Sequence, residues 1–364
     1  MVSQNTRIGI IGGGTSGIYL AALLVRQGYT VDVFERSPQP RTEGCGILLI
    51  SSGLSALAKG IPTLSPKLVD LGVVAKTYEF RNLLGGVVES ANETYEDQDF
   101  PSILIHRGAI LETLLAELPP NRLHFNAHFE SALQTETGVK AHFRSGQTWE
   151  GDLLIGADGL FSRVRDCVVP GVQPVYLGDI VWRGVIADSA FCTDGLFIVY
   201  VRGRGIYANF FDLGQGLTHW GFFLEAPQSP DEMGLPRPEQ VGIPPEALAK
   251  LPPDPRRIIA ETAPEQITCN FSYDLDPLPH LYTGRILLIG DAAHAKSPTR
   301  ARGMTAGFED AIALSQHLSA AEDIDSAIAA FQTERLPIVH EYQRSSREVS
   351  QKIGRSKRKA SSAS

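Results

Sequence analysis

Hydrophobic and polar positions at the start of the chain alternate as expected for a strand, a helix and a second strand. Residues 7–11 form a short apolar run that ends in glycines, and a largely apolar helical stretch continues to about Gln27. From Tyr29 to Glu35, β-branched and aromatic residues alternate with other residues. This order of elements predicts a βαβ unit and therefore a parallel sheet.

The pattern over residues 44–170 predicts further helices and strands. After a loop at residues 44–53 we expect a helix from Leu54 and then a hairpin over residues 77–88. Isoleucine and leucine recur on one face of residues 106–118, as in an amphipathic helix. Strand-like runs follow at residues 123–129, 139–144 and 148–155.

The character of the chain changes after Pro170. Aromatic-rich runs at residues 175–185, 196–201, 205–213 and 217–224 predict a second sheet, mixed or antiparallel, with most of the aromatic side chains in the core. A proline-rich segment at residues 227–255 is expected at the surface, with one short helix at residues 245–251. Residues 285–289 are expected to form a buried parallel strand beside the first strand, and helices should follow.

Composition and charge favour a globular protein that binds neither nucleic acid nor a membrane surface. The 364 residues are 43% hydrophobic and 20% charged, which is ordinary for a globular protein and enough for about two domains. A net charge of −8 argues against a nucleic-acid partner and against binding to a membrane surface. Glycines interrupt the apolar residues 8–25, so we expect neither a signal peptide nor stable membrane insertion.

The cysteines and the C-terminal basic residues add two weaker expectations. Four cysteines lie far apart without a CxxC pair, which predicts no disulfide framework, no metal site and a cytoplasmic location. Five basic residues lie between Lys352 and Lys359. We expect them to form a solvated tail, with an anion-binding function as the alternative.

A glycine-rich turn follows the first predicted strand. Gly12, Gly14 and Gly17 form the pattern GxGxxG, in which a β-carbon would keep the backbone away from a pyrophosphate. The helix that begins there points free N–H groups at phosphate charge. Glu35, at the end of the second strand, can accept hydrogen bonds from ribose hydroxyls and would repel the 2′-phosphate of NADP. The turn therefore predicts a bound dinucleotide, either FAD or NAD.

Two later segments are more specific than the glycine turn. Residues 286–294 read ILLIGDAAH and are followed by Pro298 and by a helix containing Glu309 and Asp310, while residues 154–159 read LIGADG. Together they resemble motifs of the FAD-dependent aromatic hydroxylases, the single-component flavoprotein monooxygenases of the para-hydroxybenzoate hydroxylase type. Further patterns similar to that family are Arg41-x-x-Gly44-x-Gly46, His106-Arg107 and Trp182-Arg183-Gly184. The resemblance extends from residue 7 to about residue 320.

The resemblance implies a fold and a domain organisation. The fold is α/β, with a Rossmann-like FAD-binding domain and a mixed β-sheet substrate domain. The FAD-binding domain, which includes the C-terminal helices, would be discontinuous and comprise residues 1–75, 101–170 and 283–364. The substrate domain would comprise residues 76–100 and 171–282.

The resemblance and the motifs also imply a set of site residues. Asp291 is expected to bind the ribityl hydroxyls, and the helix that opens near Gly303 should face the flavin ring. Asp158 is implied to lie between FAD and a transient NADH or NADPH. The complete set expected to bind the cofactor is Gly12, Gly14, Thr15, Ser16, Gly17, Glu35, Arg36, Arg41, Gly46, Arg107, Asp158, Gly290, Asp291, Gly303, Met304 and Thr305. The residues expected at the catalytic centre are Arg183, Pro298 and Arg302.

Several of these residues have a simpler alternative role. Asp291 could cap a helix, and Asp158 could belong to a tight turn. Arg163, which follows the LIGADG segment and belongs to the pattern that resembles the family motif, could instead form a surface ion pair of little energetic value. His294 could act as a general base, although its position in the motif favours a structural hydrogen bond.

The loop after Pro298 departs from the family pattern. Ala301 occupies a position where the family usually has glycine, so we expect the loop to follow a different path. Arg300 and Arg302 add two cations. They could anchor an acidic substrate, stabilise an anionic flavin or point to solvent.

The function implied by the resemblance is NAD(P)H-dependent hydroxylation of an aromatic or heteroaromatic small molecule by molecular oxygen, through a flavin C4a-hydroperoxide. One alternative is an FAD-dependent epoxidase or oxidase of a non-aromatic metabolite. A second alternative is a non-catalytic protein that binds flavin or another ligand. The sequence leaves open the identity of the substrate, the choice between NADH and NADPH, and the oligomeric state.

Overall fold

A computed structural model describes residues 2–42, 44–188, 190–201, 205–233 and 241–352. Most of the basic residues near the C-terminus therefore lie outside the described part. The strands are β1 (Arg7–Ile11), β2 (Thr30–Phe34), β3 (Gly46–Leu49), β4 (Val73–Val74), β5 (Thr77–Arg81), β6 (Val87–Asn92), β7 (Ile103–His106), β8 (Leu123–His124), β9 (Phe129–Gln134), β10 (Val139–Phe143), β11 (Thr148–Gly151), β12 (Leu153–Gly156), β13 (Val175–Ala187), β14 (Leu196–Val201), β15 (Ile206–Gly214), β16 (Leu217–Glu225), β17 (Ile267–Asp274), β18 (Tyr282–Thr283) and β19 (Ile286–Leu288).

Helices separate and follow these strands. The α-helices are α1 (Thr15–Arg26), α2 (Ser51–Gly60), α3 (Leu64–Leu71), α4 (Arg107–Leu115), α5 (Val164–Val168), α6 (Pro245–Leu248), α7 (Pro253–Glu261), α8 (Asp291–His294), α9 (Arg302–Ala320) and α10 (Ile324–Ser350). Short 3₁₀ turns occur at Pro120–Arg122, Pro264–Gln266 and Pro298–Arg300.

The predicted βαβ unit forms the centre of a six-stranded sheet with the order β18-β19-β12-β1-β2-β8. β1 runs parallel to β2 and to β12, and β12 runs parallel to β19. The expectation that β19 lies beside β1 was wrong, because β12 lies between them. All four residues of β12 are buried, so this apolar segment takes the central position.

A seven-stranded sheet with the order β17-β13-β16-β15-β14-β5-β6 is the second layer. It is mixed, since β14 and β5 are parallel and its other described pairings are antiparallel. On one face, Trp182, Trp220 and Phe222 are buried in a core that includes residues of α6 and α7. All its strands belong to residues 76–100 and 171–282, and the two-domain division remains our proposal.

Three runs adopt a local structure different from the one that the sequence predicts. Residues 44–53 are not one loop: Gly46–Leu49 forms β3, which pairs antiparallel with β7, and α2 begins at Ser51 rather than at Leu54. The run 123–129 breaks at Asn126, which has a φ of 57°. The run 148–155 breaks at Asp152, whose carboxylate accepts a hydrogen bond from the N–H of Arg7. In both runs the two halves belong to different sheets.

The proline-rich segment contains more structure than the sequence indicated. The expected short helix is present at Pro245–Leu248. A second helix, α7, begins at Pro253 and buries Ile258 and Ile259 against the seven-stranded sheet. A proline in the first turn of a helix is compatible with helical geometry, because the N–H groups there have no intrahelical partner. Residues 234–240 lie outside the described part.

Candidate cofactor and substrate site

A cleft of about 880 Å³ lies at the carboxyl ends of β1, β2 and β12. Parallel α/β sheets bind nucleotides at this edge, where the glycine turn and the helix N-terminus meet. The predicted cofactor residues that line the cleft are Gly12, Gly14, Glu35, Arg36, Arg41, Arg107 and Asp158. The cleft is large enough for a sizeable part of a dinucleotide.

The glycine turn is as tight as its sequence predicts. Gly12 has a φ of +113°, and a β-carbon there would overlap the carbonyl group of Ala157. A β-carbon at Gly17 would overlap the carbonyl oxygen of Gly12. Gly14 faces open space instead, since a β-carbon there would have no neighbour within 4 Å. The backbone around Gly14 is therefore accessible to a ligand in the cleft.

Glu35 is held in place by the backbone around it. Oε2 accepts a hydrogen bond from the N–H of Gly13 at 2.8 Å, and Oε1 accepts one from the N–H of Ser37 at 2.8 Å. Burial acts to raise the pKa of Glu35, but these two hydrogen bonds, with Arg41 nearby, outweigh it and lower the pKa. The ionised carboxylate keeps lone pairs free for two hydroxyl donors.

Five arginines line the same cleft: Arg36, Arg41, Arg107, Arg144 and Arg163. Arg41 donates to the Ser37 hydroxyl at 2.6 Å, and Arg107 donates to the carbonyl of Arg41 at 3.4 Å. Arg144 was missed by sequence reasoning, because it follows β10 with no motif around it. These guanidinium groups make the cleft suited to a diphosphate.

The glycine turn and the distant Gly290-Asp291 motif meet in the structure. A β-carbon at Gly290 would lie 2.9 Å from the hydroxyl oxygen of Ser16, and one at Gly307 would overlap that oxygen. Oδ1 of Asp291 lies 4.0 Å from where a β-carbon of Gly303 would be. The first turn of α1, the start of α8 and the start of α9 thus form one continuous surface.

Asp291 is exposed in this surface, and its side chain accepts no hydrogen bond from the described residues. Met304 and Thr305 lie in the first turn of α9. Met304 packs against the main core, and the hydroxyl of the buried Thr305 points at Gly53. The side chain of Thr305 is therefore engaged in packing, and only its backbone is placed to contact a cofactor.

The atypical loop holds Ala301 in a backbone conformation that favours glycine. Ala301 adopts φ 53° and ψ 21°, the left-handed region, immediately before α9. The alanine occupies the strained conformation that glycine adopts freely, and the expectation that the loop follows a different path stays a prediction.

Pro298 and the two arginines of this loop lie in different environments. Pro298 and Arg300 are exposed. Arg302 donates to the hydroxyl of Ser52, forms an ion pair with Glu96 and lies 5.1 Å from the ring centroid of Tyr342. Arg302 therefore connects α2 and α10, and its expected part at the catalytic centre stays a prediction.

Asp158 lies two residues after the end of β12 and caps the segment that follows. Its carboxylate accepts hydrogen bonds from the Ser162 hydroxyl and from the N–H groups of Arg163 and Val164. Burial raises the pKa of Asp158, and these hydrogen bonds oppose that effect. The side chain both organises the turn and lines the cleft.

His294 has the structural hydrogen bond that its position favoured. Nε2 lies 2.6 Å from Oδ2 of Asp310, and Nδ1 lies 3.0 Å from the buried ammonium group of Lys296. An ammonium group can only donate, so His294 Nδ1 accepts a hydrogen bond from Lys296. Nε2 therefore carries the ring proton and donates a hydrogen bond to Asp310. Asp310 also accepts hydrogen bonds from the N–H of Gly290 and from Arg335.

Arg183 lies on the face of the seven-stranded sheet that is turned toward β3. On this face the N–H of Gly46 donates to Nδ1 of His219 at 3.1 Å. The Arg183 guanidinium lies 5.6 Å from the ring centroid of Phe223, and among the described residues no carboxylate is within ion-pair distance of it. Arg183 and Gly46, two predicted site residues, therefore belong to one interface.

Known proteins resemble this chain over nearly its whole length. The family described as FAD binding domain matches residues 5–201 and 278–346. The 3-amino-4-hydroxybenzoate 2-monooxygenase of Streptomyces cremeus is 30% identical over 360 residues, covering 97% of this chain and 89% of that protein. The chain belongs to the FAD-dependent aromatic hydroxylases. It is thus an FAD-dependent monooxygenase.

Two further comparisons place this flavoprotein monooxygenase among related enzymes and folds. The kynurenine 3-monooxygenase of Salinispora arenicola is 29% identical, over 93% of this chain and 78% of that protein. The crystal structure of Klebsiella pneumoniae HpxO complexed with FAD and uric acid has a TM-score of 0.84 at 22% identity, covering 95% of this chain and 88% of that one. That likeness confirms the para-hydroxybenzoate hydroxylase-like fold.

The residues of this monooxygenase fit FAD. The open backbone at Gly14, the ionised Glu35 and the arginines of the cleft suit the adenosine and diphosphate, and Asp291 remains available for hydroxyl groups. No helix in the described part of the chain is long and apolar enough to span a membrane.

Proposed function

We propose that the enzyme hydroxylates an aromatic or heteroaromatic small molecule, with NADH or NADPH as electron donor and molecular oxygen as oxidant. The reaction would consume O2, the reduced nicotinamide and a proton. One oxygen atom would be added to the ring and the other released as water. The named activities of the relatives from Streptomyces cremeus and Salinispora arenicola support this class of reaction.

The proposal depends on one observation: Ser16 lies beside Gly290, and Asp291 lies near Gly303. This arrangement joins a nucleotide cleft to a second helix N-terminus, as an extended cofactor such as FAD requires. Bound FAD supplies hydride acceptance and oxygen activation, which no side chain can provide.

The chain itself would bind and orient the cofactor. The N-terminus of α1 and the arginines of the cleft would hold the diphosphate, and Glu35 would hold the ribose. Asp291 would accept hydrogen bonds from the ribityl chain. The first N–H groups of α9 would stabilise negative charge on the nearby edge of the flavin ring, since a helix N-terminus carries a partial positive charge.

The seven-stranded sheet would cover the reacting atoms. Its face toward β3 brings Arg183, Phe223 and the buried His219 together. Arg183 would hold a negatively charged substrate group, and the apolar neighbours would exclude water from the reacting atoms.

Substrate-dependent cofactor oxidation tests this proposal. Purified FAD-loaded protein is mixed with NADH or NADPH and a panel of hydroxybenzoates, aminobenzoates and hydroxypyridines, under ¹⁸O2. We expect at least one compound to accelerate NAD(P)H oxidation and to gain one labelled oxygen. Oxidation that no compound accelerates, or a product whose oxygen comes from water, would contradict the proposal.

A further inference from the structure

Lys296 is a buried lysine two residues after the end of α8, and its charge has no part in the proposed binding of FAD. The residue is 8% exposed, and its Nζ atom has one hydrogen-bond partner in the described structure, Nδ1 of His294 at 3.0 Å. Within the same part of the chain, no carboxylate lies within ion-pair distance of it. Lysine is almost never buried without a partner of opposite charge, because its ammonium group loses its hydration. A buried ammonium group beside the cofactor motif therefore indicates a specific role.

A chain of hydrogen bonds connects Lys296 to the backbone beside Asp291. Lys296 Nζ donates to His294 Nδ1, and His294 Nε2 donates to Oδ2 of Asp310 at 2.6 Å. The same Oδ2 atom accepts a hydrogen bond from the N–H of Gly290 at 2.9 Å. Gly290 directly precedes Asp291, the residue proposed to bind the ribityl chain. One oxygen atom of Asp310 is thus shared between the histidine and the backbone that carries Asp291.

Charged groups face His294 from three parts of the fold. They are Lys296 in the loop after α8, Asp310 on α9 and Arg335 on α10. Burial has the largest effect and lowers the pKa of His294, while Asp310 acts to raise it. Lys296 and Arg335 add to the lowering. Lys296 is therefore one of two cations that oppose a second proton on the ring.

Lys296 has more acidic neighbours than His294 has. Burial lowers the pKa of its ammonium group, the carboxylates of Asp291, Asp310 and Glu309 act to raise it, and Arg335 acts to lower it. Carboxylates near a buried ammonium group favour its charged form. A second proton on the ring would then place two cations in contact, because Nδ1 of the histidine lies 3.0 Å from Nζ. The lysine therefore favours the uncharged ring with its proton on Nε2.

We propose that Lys296 is a positioning residue of the cofactor site, because its ammonium group keeps the ring of His294 uncharged. An uncharged ring leaves Oδ2 of Asp310 free to hold the Gly290 N–H as well. Without the ammonium group, His294 takes up a second proton in mild acid, since the attraction of Asp310 is less opposed. The imidazolium ion then forms a stronger, charge-assisted bond to Oδ2 and competes with the Gly290 N–H for that oxygen. The inference rests on the proposed function only in taking Asp291 as a ligand of FAD.

The protonation state of His294 tests the inference directly. NMR spectra of the FAD-loaded protein with ¹³C-labelled histidine are recorded between pH 5 and pH 8.5, and the His294 signal is assigned from its absence in His294→Gln. We expect His294 of the wild-type protein to titrate below the usual histidine pKa of about 6.5. In Lys296→Met, which has a similar length and no charge, the midpoint should rise by about one pH unit or more.

Two further variants separate the charge from the hydrogen bond and control for the substitution. Lys296→Gln keeps an N–H donor for the histidine but carries no charge. Its midpoint should lie between those of the wild-type protein and Lys296→Met. Lys59→Met makes the same exchange at an exposed position of α2 and should leave the His294 midpoint unchanged.

FAD affinity measures the consequence for the cofactor site. FAD is titrated into the flavin-free wild-type and Lys296→Met proteins at pH 8 and at pH 6. The wild-type protein should bind FAD equally at the two pH values. Lys296→Met should bind FAD about threefold more weakly at pH 6 than at pH 8, as the weakening of one neutral hydrogen bond would give. A loss of affinity that is the same at both pH values would show a purely structural role of the lysine and overturn the inference.

The outcomes separate this inference from the proposed function. A wild-type His294 that is already charged at pH 7.5, or the same midpoint in the wild-type protein and Lys296→Met, overturns the inference even if NAD(P)H oxidation is stimulated by aromatic compounds. If Lys296→Met does not fold, Lys296→Gln takes its place. A raised midpoint together with a loss of FAD affinity confined to mild acid supports the inference. That result would stand even if no aromatic compound is hydroxylated, in which case the proposed function fails alone.

Discussion

Nε2 of His294 lies 2.6 Å from Oδ2 of Asp310, and both side chains are buried. Asp310 is also the acceptor for the N–H of Gly290, which precedes the exposed Asp291. The buried carboxylate of Asp310, on α9, therefore fixes the backbone from which the exposed Asp291 side chain projects. Asp310 itself is not exposed. The histidine of the motif supports this carboxylate and has no free nitrogen for proton transfer.

Loss of Asp310 should destabilise the protein strongly. Asp310→Ala removes one of the two carboxylates that pair with the buried Arg335, which donates to Asp310 Oδ1 and to Glu309 Oε2 at 2.8 Å each, and it also removes the acceptor of the Gly290 N–H and of His294. Breaking a buried ion pair by removing one partner costs about 3–5 kcal/mol, and Glu309 offsets part of that cost for Arg335. Urea unfolding followed by circular dichroism measures this loss. Asp325→Ala removes the exposed partner of Arg285 and should cost less than about 1 kcal/mol; equal losses in the two variants would refute the assignment.

Because two histidines are buried, we expect the free energy of unfolding to fall in mild acid. Burial lowers the pKa of His294, with Lys296 adding to the effect against the opposing Asp310, and burial with Arg183 and His106 lowers the pKa of His219. Each binds fewer protons in the folded than in the unfolded state. The contribution of each histidine to the free energy of unfolding is therefore complete above the usual histidine pKa of about 6.5. As the pH falls below that value, this contribution decreases by about 1.4 kcal/mol per pH unit for each residue.

Unfolding free energies between pH 7.5 and pH 5 measure this slope. His294→Gln and His219→Gln should each have a shallower pH dependence than the wild-type protein. His128→Gln replaces an exposed histidine and should keep the wild-type slope. If all three variants follow the wild-type curve, neither buried histidine accounts for the acid sensitivity.

Ala301→Gly should stabilise the protein. A left-handed conformation costs a residue with a β-carbon about 1–2 kcal/mol, and the greater freedom of glycine in the unfolded chain offsets about half of that. We expect a net gain of about 0.5–1 kcal/mol, seen as a higher melting temperature. Ala320→Gly, at the last residue of α9 in helical conformation, is the matched control and should lower the melting temperature. A destabilised Ala301→Gly protein would argue against the left-handed turn.

Features that depend on neighbouring residues could be predicted from the sequence. The β1-α1-β2 unit, the glycine turn and Glu35 follow from local spacing, and the segment around Gly290 carries a recognisable motif. Other features depend on partners far away in the chain. β3 becomes a strand only because it pairs with β7, and β12 separates β1 from β19 through pairings between residues over 100 positions apart.

The seven-stranded sheet illustrates the same limit. The sequence indicated aromatic strands and singled out Arg183, but the position of Arg183 opposite Gly221, on the face toward β3, depends on the register of two strands. A shift of one residue would turn Arg183 to the other face. Arg144 enters the cofactor cleft for a comparable reason, because the small sheet of β9, β10 and β11 carries it there.

FAD binding by Asp291→Ala tests the central claim most directly. Asp291 is exposed and accepts no hydrogen bond from the described residues, so its loss should change the unfolding free energy by no more than about 0.5 kcal/mol. Titration of FAD into the flavin-free proteins, followed by absorbance, should give wild-type binding at one FAD per chain and about tenfold weaker binding for Asp291→Ala, as expected for one lost hydrogen bond to a charged group. His294→Ala should retain more flavin than Asp291→Ala. Unchanged FAD affinity in Asp291→Ala, or a wild-type protein that stays colourless in excess FAD, would contradict the account.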